Sequence, residues 1–421
     1  MSILLNGTAN KTAELATDVS TLMVGSIGCG KTTVAKALFG AQRSAIDRQA
    51  RGCMVVFDPK NDFRTAFYRP GDLILGENVQ WNYYEDLMLG FDADTPFRLI
   101  LNRALEMAGM LFAQRLKPGA SQEQYFPRAA SEVLAAVTAI QASSALKCPE
   151  LRGELDNEFF YEFWTSVTAE KILDLLQPYP ELRSIRYHLT AGNEGGVSGQ
   201  GNGVMSEFAL IRQTMSGRWS ESGRFSIRRF IREKAANCLF IPYFISSAKT
   251  DMPVRRMIVD MALQESMMNG LDEGEVIFLL EELHLLTEPP LEYLPQAINY
   301  GRTYQVRLQG ILQNLDQLYL NYGPNGAEAI ISGFPQKLIF RADSAFSLEY
   351  PVRLFGKKRI IEYLFNSRGE RIQHIRDGNM VESWELVSLG VGEFYLKPPG
   401  NGEPFRFQMR LEGEQDAEGM E

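Results

Sequence analysis

Short apolar runs alternate with segments whose apolar positions recur at helical spacing, but the alternation is uneven along the chain. Thr21–Val24 and Gly52–Asp58 are continuous apolar runs, the pattern of strands buried on both faces. A helix-compatible run, Thr33 to Phe39, lies between them, so the chain opens as a parallel α/β sheet. From Phe97 to Trp219 the strand signal fades. Residues 96–112, 125–143, 165–177 and 205–219 carry helical apolar spacing and read as a separate all-helical domain inserted between strands. Alternation then returns. Cys238–Phe244 reads as a strand, and 251–268 as a helix with Pro253 in its first turn. Residues 275–282 form a strand, 294–304 a largely helical stretch, and 306–313 a strand. A short helix over 327–335, a strand over 336–342 and a terminal hairpin (391–399 with 403–410) complete the pattern. The predicted division is a sheet domain built from 1–95 and 225–410, a helical insert over 96–224, and an acidic tail over 411–421.

The first strand runs into Gly25-Ser26-Ile27-Gly28-Cys29-Gly30-Lys31-Thr32-Thr33. Strand, glycine loop and helix in this order form a phosphate cradle. The glycines let backbone N–H groups converge on phosphate oxygens, and the helix N-terminus adds partial positive charge. Lys31 is placed to reach the β- and γ-phosphates of ATP, and the Thr32 hydroxyl to ligate Mg²⁺. The expected fold is therefore α/β, a P-loop NTPase of RecA-like type with a parallel-core sheet and an inserted all-helical domain. Cys29, beside the helix N-terminus and Lys31, is either a thiol biased toward thiolate or a small residue that fits the loop.

Hydrolysis also needs carboxylates near the metal, expected at the end of an apolar strand beside the phosphate-loop strand. Val276–Leu280 leads into Glu281 and Glu282. Glu281 is expected to hold the Mg²⁺ shell through water, and Glu282 to polarise the attacking water. Asp58 and Lys60 follow the next strand, at the carboxyl end where open α/β sheets bind ligands; they read either as a nucleotide-side or subunit-edge pair or as a plain turn. Arg302, after a Gly at a helix end, is a candidate to reach a neighbouring subunit's γ-phosphate, and Gln313, closing a strand, a candidate to sense that phosphate. Both also suit ordinary surface roles.

Composition narrows the setting. Of the 421 residues, 45% are hydrophobic, and no uninterrupted apolar run approaches the 18 residues of a membrane span. The start has no basic segment followed by an apolar core, so no signal peptide is expected. Four scattered cysteines without C-x-x-C spacing suit a reducing cytoplasm and argue against structural zinc. The net charge of −9 opposes one broad basic DNA-binding face, yet leaves room for a ring whose channel concentrates Lys and Arg locally. Arg115, Lys117, Arg212, Arg218 and Arg224 flank the helical segment as pore candidates or ordinary surface charges. Ala191 to Gly203 holds six glycines in thirteen residues, a flexible linker or a mobile loop that touches substrate.

Taken together, the motifs resemble the conjugative coupling proteins of type IV secretion, the TraD/TraG/TrwB family. The resemblance rests on the phosphate loop, Asp58-Pro59-Lys60, "FYRPGD" at Phe67–Asp72, the Trp81-Asn82 pair, "YFPRAASEVL", "FSIRRFI" before "CLFIPYF", and the long stretch from Asn299 to Phe340. It covers roughly 15–410. It implies that Lys31 and Thr32 bind nucleotide, Glu281 and Glu282 form the acidic pair, Gln313 is the sensor glutamine and Arg302 reaches across subunits. It implies a homo-hexameric ring that moves DNA with ATP and Mg²⁺, gripping mainly phosphates, with a relaxase or accessory protein as further partners. Two departures stand out: Glu281 replaces the usual Asp, and no membrane-spanning region precedes the phosphate loop. The expectation is a cytoplasmic protein recruited to the membrane's inner face by a separate partner. A HerA- or FtsK-like motor working with an effector, or a nucleotide-gated scaffold that recruits proteins, are the alternative readings.

Overall fold

A computed structural model describes residues 2–8, 11–116, 124–190, 197–268, 274–365 and 371–410. The acidic tail, Lys117 and residues 191–196 of the glycine-rich stretch lie outside these. In chain order the strands are β1 (Ser2–Asn6), β2 (Thr12–Ala16), β3 (Thr21–Val24), β4 (Gly52–Asp58), β5 (Leu73–Ile74), β6 (Ala235–Pro242), β7 (Val276–Leu280), β8 (Val306–Leu312), β9 (Gln336–Ile339), β10 (Lys357–Phe365), β11 (Arg371–Asn379), β12 (Glu393–Lys397) and β13 (Phe405–Gln408). Nine of them form one sheet, ordered β13-β12-β9-β3-β8-β7-β4-β6-β5. From β9 to β5 every pairing is parallel; β12 and β13 extend the sheet antiparallel. β1–β2 and β10–β11 are separate two-stranded ribbons.

The continuous apolar runs have their physical cause in this sheet. Successive side chains point to opposite faces, and both faces are covered. Leu22, Val24, Val55, Phe57, Phe278 and Leu280 pack into one core, while Met23, Met54, Val56, Ile277 and Leu279 pack into another. The second core is closed by helix α1 (Lys31–Gln49), through Val34, Leu38 and Phe39, and by α2 (Asp62–Phe67), through Phe63.

The first core runs without a break from the sheet into the helical segment. It takes in α3 (Tyr83–Met88), α4 (Phe97–Phe112), α5 (Tyr125–Lys147) and the helix Ala248–Met268. The expected separate helical domain is thus a layer that shares its core with one face of the sheet. α5 is long and apolar enough to cross a membrane by length and composition, yet it is largely buried inside the fold. Its sequence lacks an uninterrupted apolar run because Ser, Thr and Gln are accommodated in that packed interior.

Several elements depart from their sequence pattern. Pro253 sits in the second turn of its helix, which begins earlier, at Ala248. The expected short helix over 327–335 is the last part of Asp316–Gly333, which kinks at Gly323, where φ is 69° and Pro324 follows. β10 and β11 were not expected; they pair along nine residues each and leave Ile361, Tyr363, Ile372 and Ile375 exposed.

Trp81 and Asn82 are structural. Trp81 Nε1 donates to Asp86 at 2.6 Å, and Asp86 also accepts from Ser226 Oγ and from the backbone N–H of Arg228, which starts the helix Ile227–Glu233. Asn82 caps α3 by accepting from the N–H groups of Tyr84 and Glu85, and its amide donates to the carbonyls of Gly223 and Leu155. One fully buried side chain thereby ties the exit from the first sheet half to the return into the second. Asn82→Ala leaves two donors and two acceptors buried without partners, so we expect a loss of about 2–4 kcal/mol of unfolding free energy in urea titration. Nucleotide affinity of the folded protein should be unchanged; a loss below about 0.5 kcal/mol, the scale of ordinary surface changes, would contradict the joint.

Candidate functional site

The phosphate loop owes its shape to close backbone approach. A Cβ on Gly25 would lie 2.5 Å from Phe340 Cβ, and Gly30 sits at φ 102° with Gly392 N 3.1 Å from where its Cβ would be. Gly28 also has positive φ. Gly30 provides no side-chain cap for α1, so the first-turn N–H groups of the helix face the loop uncapped. Lys31 Nζ donates to the carbonyls of Gly25 and Ser26, the latter at 2.9 Å. Burial lowers the Lys31 pKa, partly offset by Cys29 and Glu282. Thr32 is half-buried and Thr33 exposed at the start of α1. The glycine backbone, uncapped amides and lysine together fit a triphosphate.

Cys29 lies beneath the loop, where its Sγ accepts from Lys31 Nζ at 3.8 Å. It is 1% exposed and packs in the second core, and its carbonyl accepts from Gly392 N. It is the small residue that fits under the loop.

The acidic pair follows β7, but β7 is not beside β3. β8 lies between them, and β4 is one strand further out. This order places Gln313, at the end of β8, between the phosphate loop and the glutamates. Gln313 Nε2 donates to Glu282 Oε1 at 2.9 Å, and Lys60 Nζ donates to the same oxygen at 2.6 Å and lies 3.5 Å from Glu281 Oε1. Lys60 therefore bridges the acid pair. Asp58 is engaged elsewhere: its carboxylate accepts from the N–H groups of Asp62, Phe63 and Arg64, fixing the start of α2. The carboxylate of this strand-end Asp holds the turn that presents Lys60.

The two glutamates are electrostatically unlike. Burial pushes the Glu281 carboxyl up to about 7, opposed by Lys60 and reinforced by Asp58, Asp62 and Glu282. Burial also acts to raise Glu282, but the hydrogen bonds from Lys60 and Gln313 outweigh it and hold Glu282 below its ordinary value. Oε2 of each glutamate is buried without a hydrogen-bond partner among the described residues. Glu282 Oε2 also lies 3.5 Å from His284 Nδ1, and carboxylate oxygens left without donors in a buried site are the donor type that suits a hydrated Mg²⁺. Glu in place of Asp at position 281 is compatible with that fit.

Arg302 does not join this site within one chain. It is exposed in the turn that precedes β8, at the opposite end of the strand from Gln313. Among the pore candidates, Arg218 stacks over Phe244 at 4.6 Å, and Arg224 donates to the Gly153 carbonyl. Sequence reading missed Asn314, Arg341, Asp343 and Ser344. With Ser26, Ile27 and Gln313 they line a cleft of about 530 Å³ beside the loop. Arg341 follows the "QKLIF" strand run, and the carboxyl-end rule for parallel strands was the signal that could have found it.

Phosphate loop, intervening β8 strand and acid pair define a P-loop nucleotide-binding ATPase fold of RecA-like type. The sequence matches the type IV secretion-system coupling protein DNA-binding domain over residues 13–146 and 169–387, and the chain belongs to that family. Its fold is similar to that of the bacterial conjugative coupling protein TrwB in an unbound crystal form, with TM-score 0.71 and 18% identity over 94% of this chain and 85% of that one. TrwB in complex with ADP and Mg²⁺ gives TM-score 0.68 and 17% identity over 93% and 85%. VirB4 of Thermoanaerobacter pseudethanolicus gives 0.55 and 14% over 98% and 97%. No curated protein matches the sequence significantly.

The raised Glu281 pKa has a definite sign. The folded state holds this proton more tightly than the unfolded chain, so the stabilisation is fully present below about 4.5 and is lost as pH rises through about 7. Denaturant unfolding of wild type and Glu281→Gln at pH 5 and pH 8 should show the variant gaining relative stability at the higher pH. A difference independent of pH would refute the assignment.

Proposed function

We propose that the chain is an ATPase that moves DNA, working as a homo-hexameric ring with nucleotide sites between subunits. The observation that carries this reading is the convergence of Lys31, Thr32, Glu281, Glu282 and Gln313 on one sheet edge in a chain of the coupling-protein DNA-binding family. Lys31 and the uncapped α1 amides would hold the β- and γ-phosphates of ATP; Thr32 and Glu281 would hold Mg²⁺, which supplies charge neutralisation during phosphoryl transfer. Glu282, kept ionised by Lys60 and Gln313, orients the attacking water and accepts its proton. Gln313 couples the phosphate side to that carboxylate through its 2.9 Å hydrogen bond. The exposed position of Arg302, remote from its own chain's cleft, supports a role at a neighbour's site, where it would stabilise the developing phosphoryl charge. TrwB has been solved with ADP and Mg²⁺ and with a non-hydrolysable ATP analogue, which supports the same ligands here.

Steady-state ATP turnover with and without single- or double-stranded DNA tests the motor. Stimulation is expected, and turnover indifferent to both would remove the reading. Lys31→Ala and Arg302→Ala should each lower turnover by at least about a hundredfold, in the range of a missing phosphate-site cation. Mixing the two inactive variants should restore part of the activity, because some interfaces then unite an intact Lys31 with an intact Arg302. A mixture as inactive as its parts would place Arg302 outside the site.

A further inference from the structure

We infer that Arg341 is a second, in-chain cation of the nucleotide site, one that reads the terminal phosphate and so distinguishes a nucleoside triphosphate from a diphosphate. This deepens the proposed function and rests on its assignment of the phosphate loop.

Arg341 follows β9, the strand that pairs with β3 on the side opposite β8. Its backbone is fastened to the loop: the Arg341 carbonyl accepts from Ser26 N at 2.7 Å and from Ser26 Oγ at 2.9 Å. Wherever the second loop residue goes, residue 341 goes with it. Arg341 is half-buried and lines the same cleft as Ser26, Ile27 and Gln313. Its hydrogen bonding among the described residues amounts to a single long contact, Nε to Ser26 Oγ at 3.4 Å, and no ion pair engages it there. Asp343 lines the cleft two residues on but does not pair with it.

A half-buried arginine with most of its donors uncommitted is uneconomical for stability alone, since the fork of N–H groups suits a planar or tetrahedral oxyanion. The cleft supplies the place for one. Lys31 emerges from the helix end of the loop, whereas Ser26 and Ile27 lie at its strand end, beside Gln313. A phosphate chain laid along the loop from α1 therefore has its far end at Ser26, Gln313 and Arg341. Gln313 approaches from β8 and Arg341 from β9, so the two flank that end from opposite sides of β3.

The test is equilibrium binding of fluorescent ATP and ADP analogues to the full chain with Mg²⁺ and without DNA, which requires no turnover. Wild type should prefer the triphosphate. Arg341→Ala should weaken triphosphate binding at least about tenfold, the scale of one charge-assisted contact, and leave diphosphate binding within about twofold. Arg341→Lys should recover part of the preference. Because the loop is held by the backbone carbonyl of residue 341, the side-chain variants keep that fastening, and thermal melting checks that they fold. Equal weakening of both ligands, or no change in either, overturns the inference. Lys31→Ala, run in parallel, separates the failures: if it binds both ligands as wild type does, the phosphate-loop assignment itself is lost, whereas failure of Arg341 alone leaves that assignment standing.

Discussion

Parallel pairing of β3 with β8 on one side and β9 on the other is the constraint on which the site depends. In a parallel sheet all strands end at the same edge, so segments far apart in sequence deliver their following residues to one line. Gly25, Gln313 and Arg341 follow β3, β8 and β9, and their register matches Val24 with both Leu312 and Ile339. β7 and β4 continue the line outward and set Glu281, Glu282 and Lys60 at increasing distance from the loop. Glu282 alone among the acid pair and Gln313 takes an unusual backbone conformation, with φ 49° where β7 turns away. The sheet brings these residues together, and the sheet is stable because apolar layers bury both of its faces.

That arrangement divides residues that look alike in sequence. Asp58 and Glu282 both close apolar strands, but Asp58 satisfies three backbone N–H groups of α2, while Glu282 faces the side chains of Lys60, Gln313 and His284. The first holds backbone, and the second is held by side chains. Trp81 and Asn82 fall on the structural side: every polar atom they bury has a partner inside the fold. A motif residue is read by where its hydrogen bonds go, and that information is three-dimensional.

Strands β3, β4, β6, β7 and β8 were legible because burial on both faces demands unbroken apolar runs, and the phosphate loop because its glycines have few substitutes. The order of strands was not legible. Nothing in the run Val276–Leu280 states that β8 will slip between it and β3; that follows from the crossover path through residues 281–305. The partners of the cations at positions 60 and 341 were not legible either. Lys60 reads as a nucleotide-side or subunit-edge residue or as part of a turn, but its bridge to the two glutamates is not in the sequence, and Arg341 reads as an ordinary strand-end arginine until Ser26 is seen bonded to its carbonyl. The shared core of sheet and helices was hidden too, since helical periodicity marks an apolar face without saying what covers it.

The acid pair shows how one environment assigns two roles. Glu281 and Glu282 are adjacent in sequence and both almost wholly buried, so burial alone would raise both. The difference lies in which oxygen receives the donors. Lys60 and Gln313 converge on Oε1 of Glu282, and their hydrogen bonds keep that carboxylate ionised near neutrality. Glu281 is buried, receives only the longer Lys60 contact and lies near Asp58 and Asp62, so its charge is disfavoured. Titratable neighbours driven apart in this way hold different protonation states over a shared range of pH. The separation thus has two sources: burial and acidic neighbours raise Glu281, while the hydrogen bonds from Lys60 and Gln313 lower Glu282.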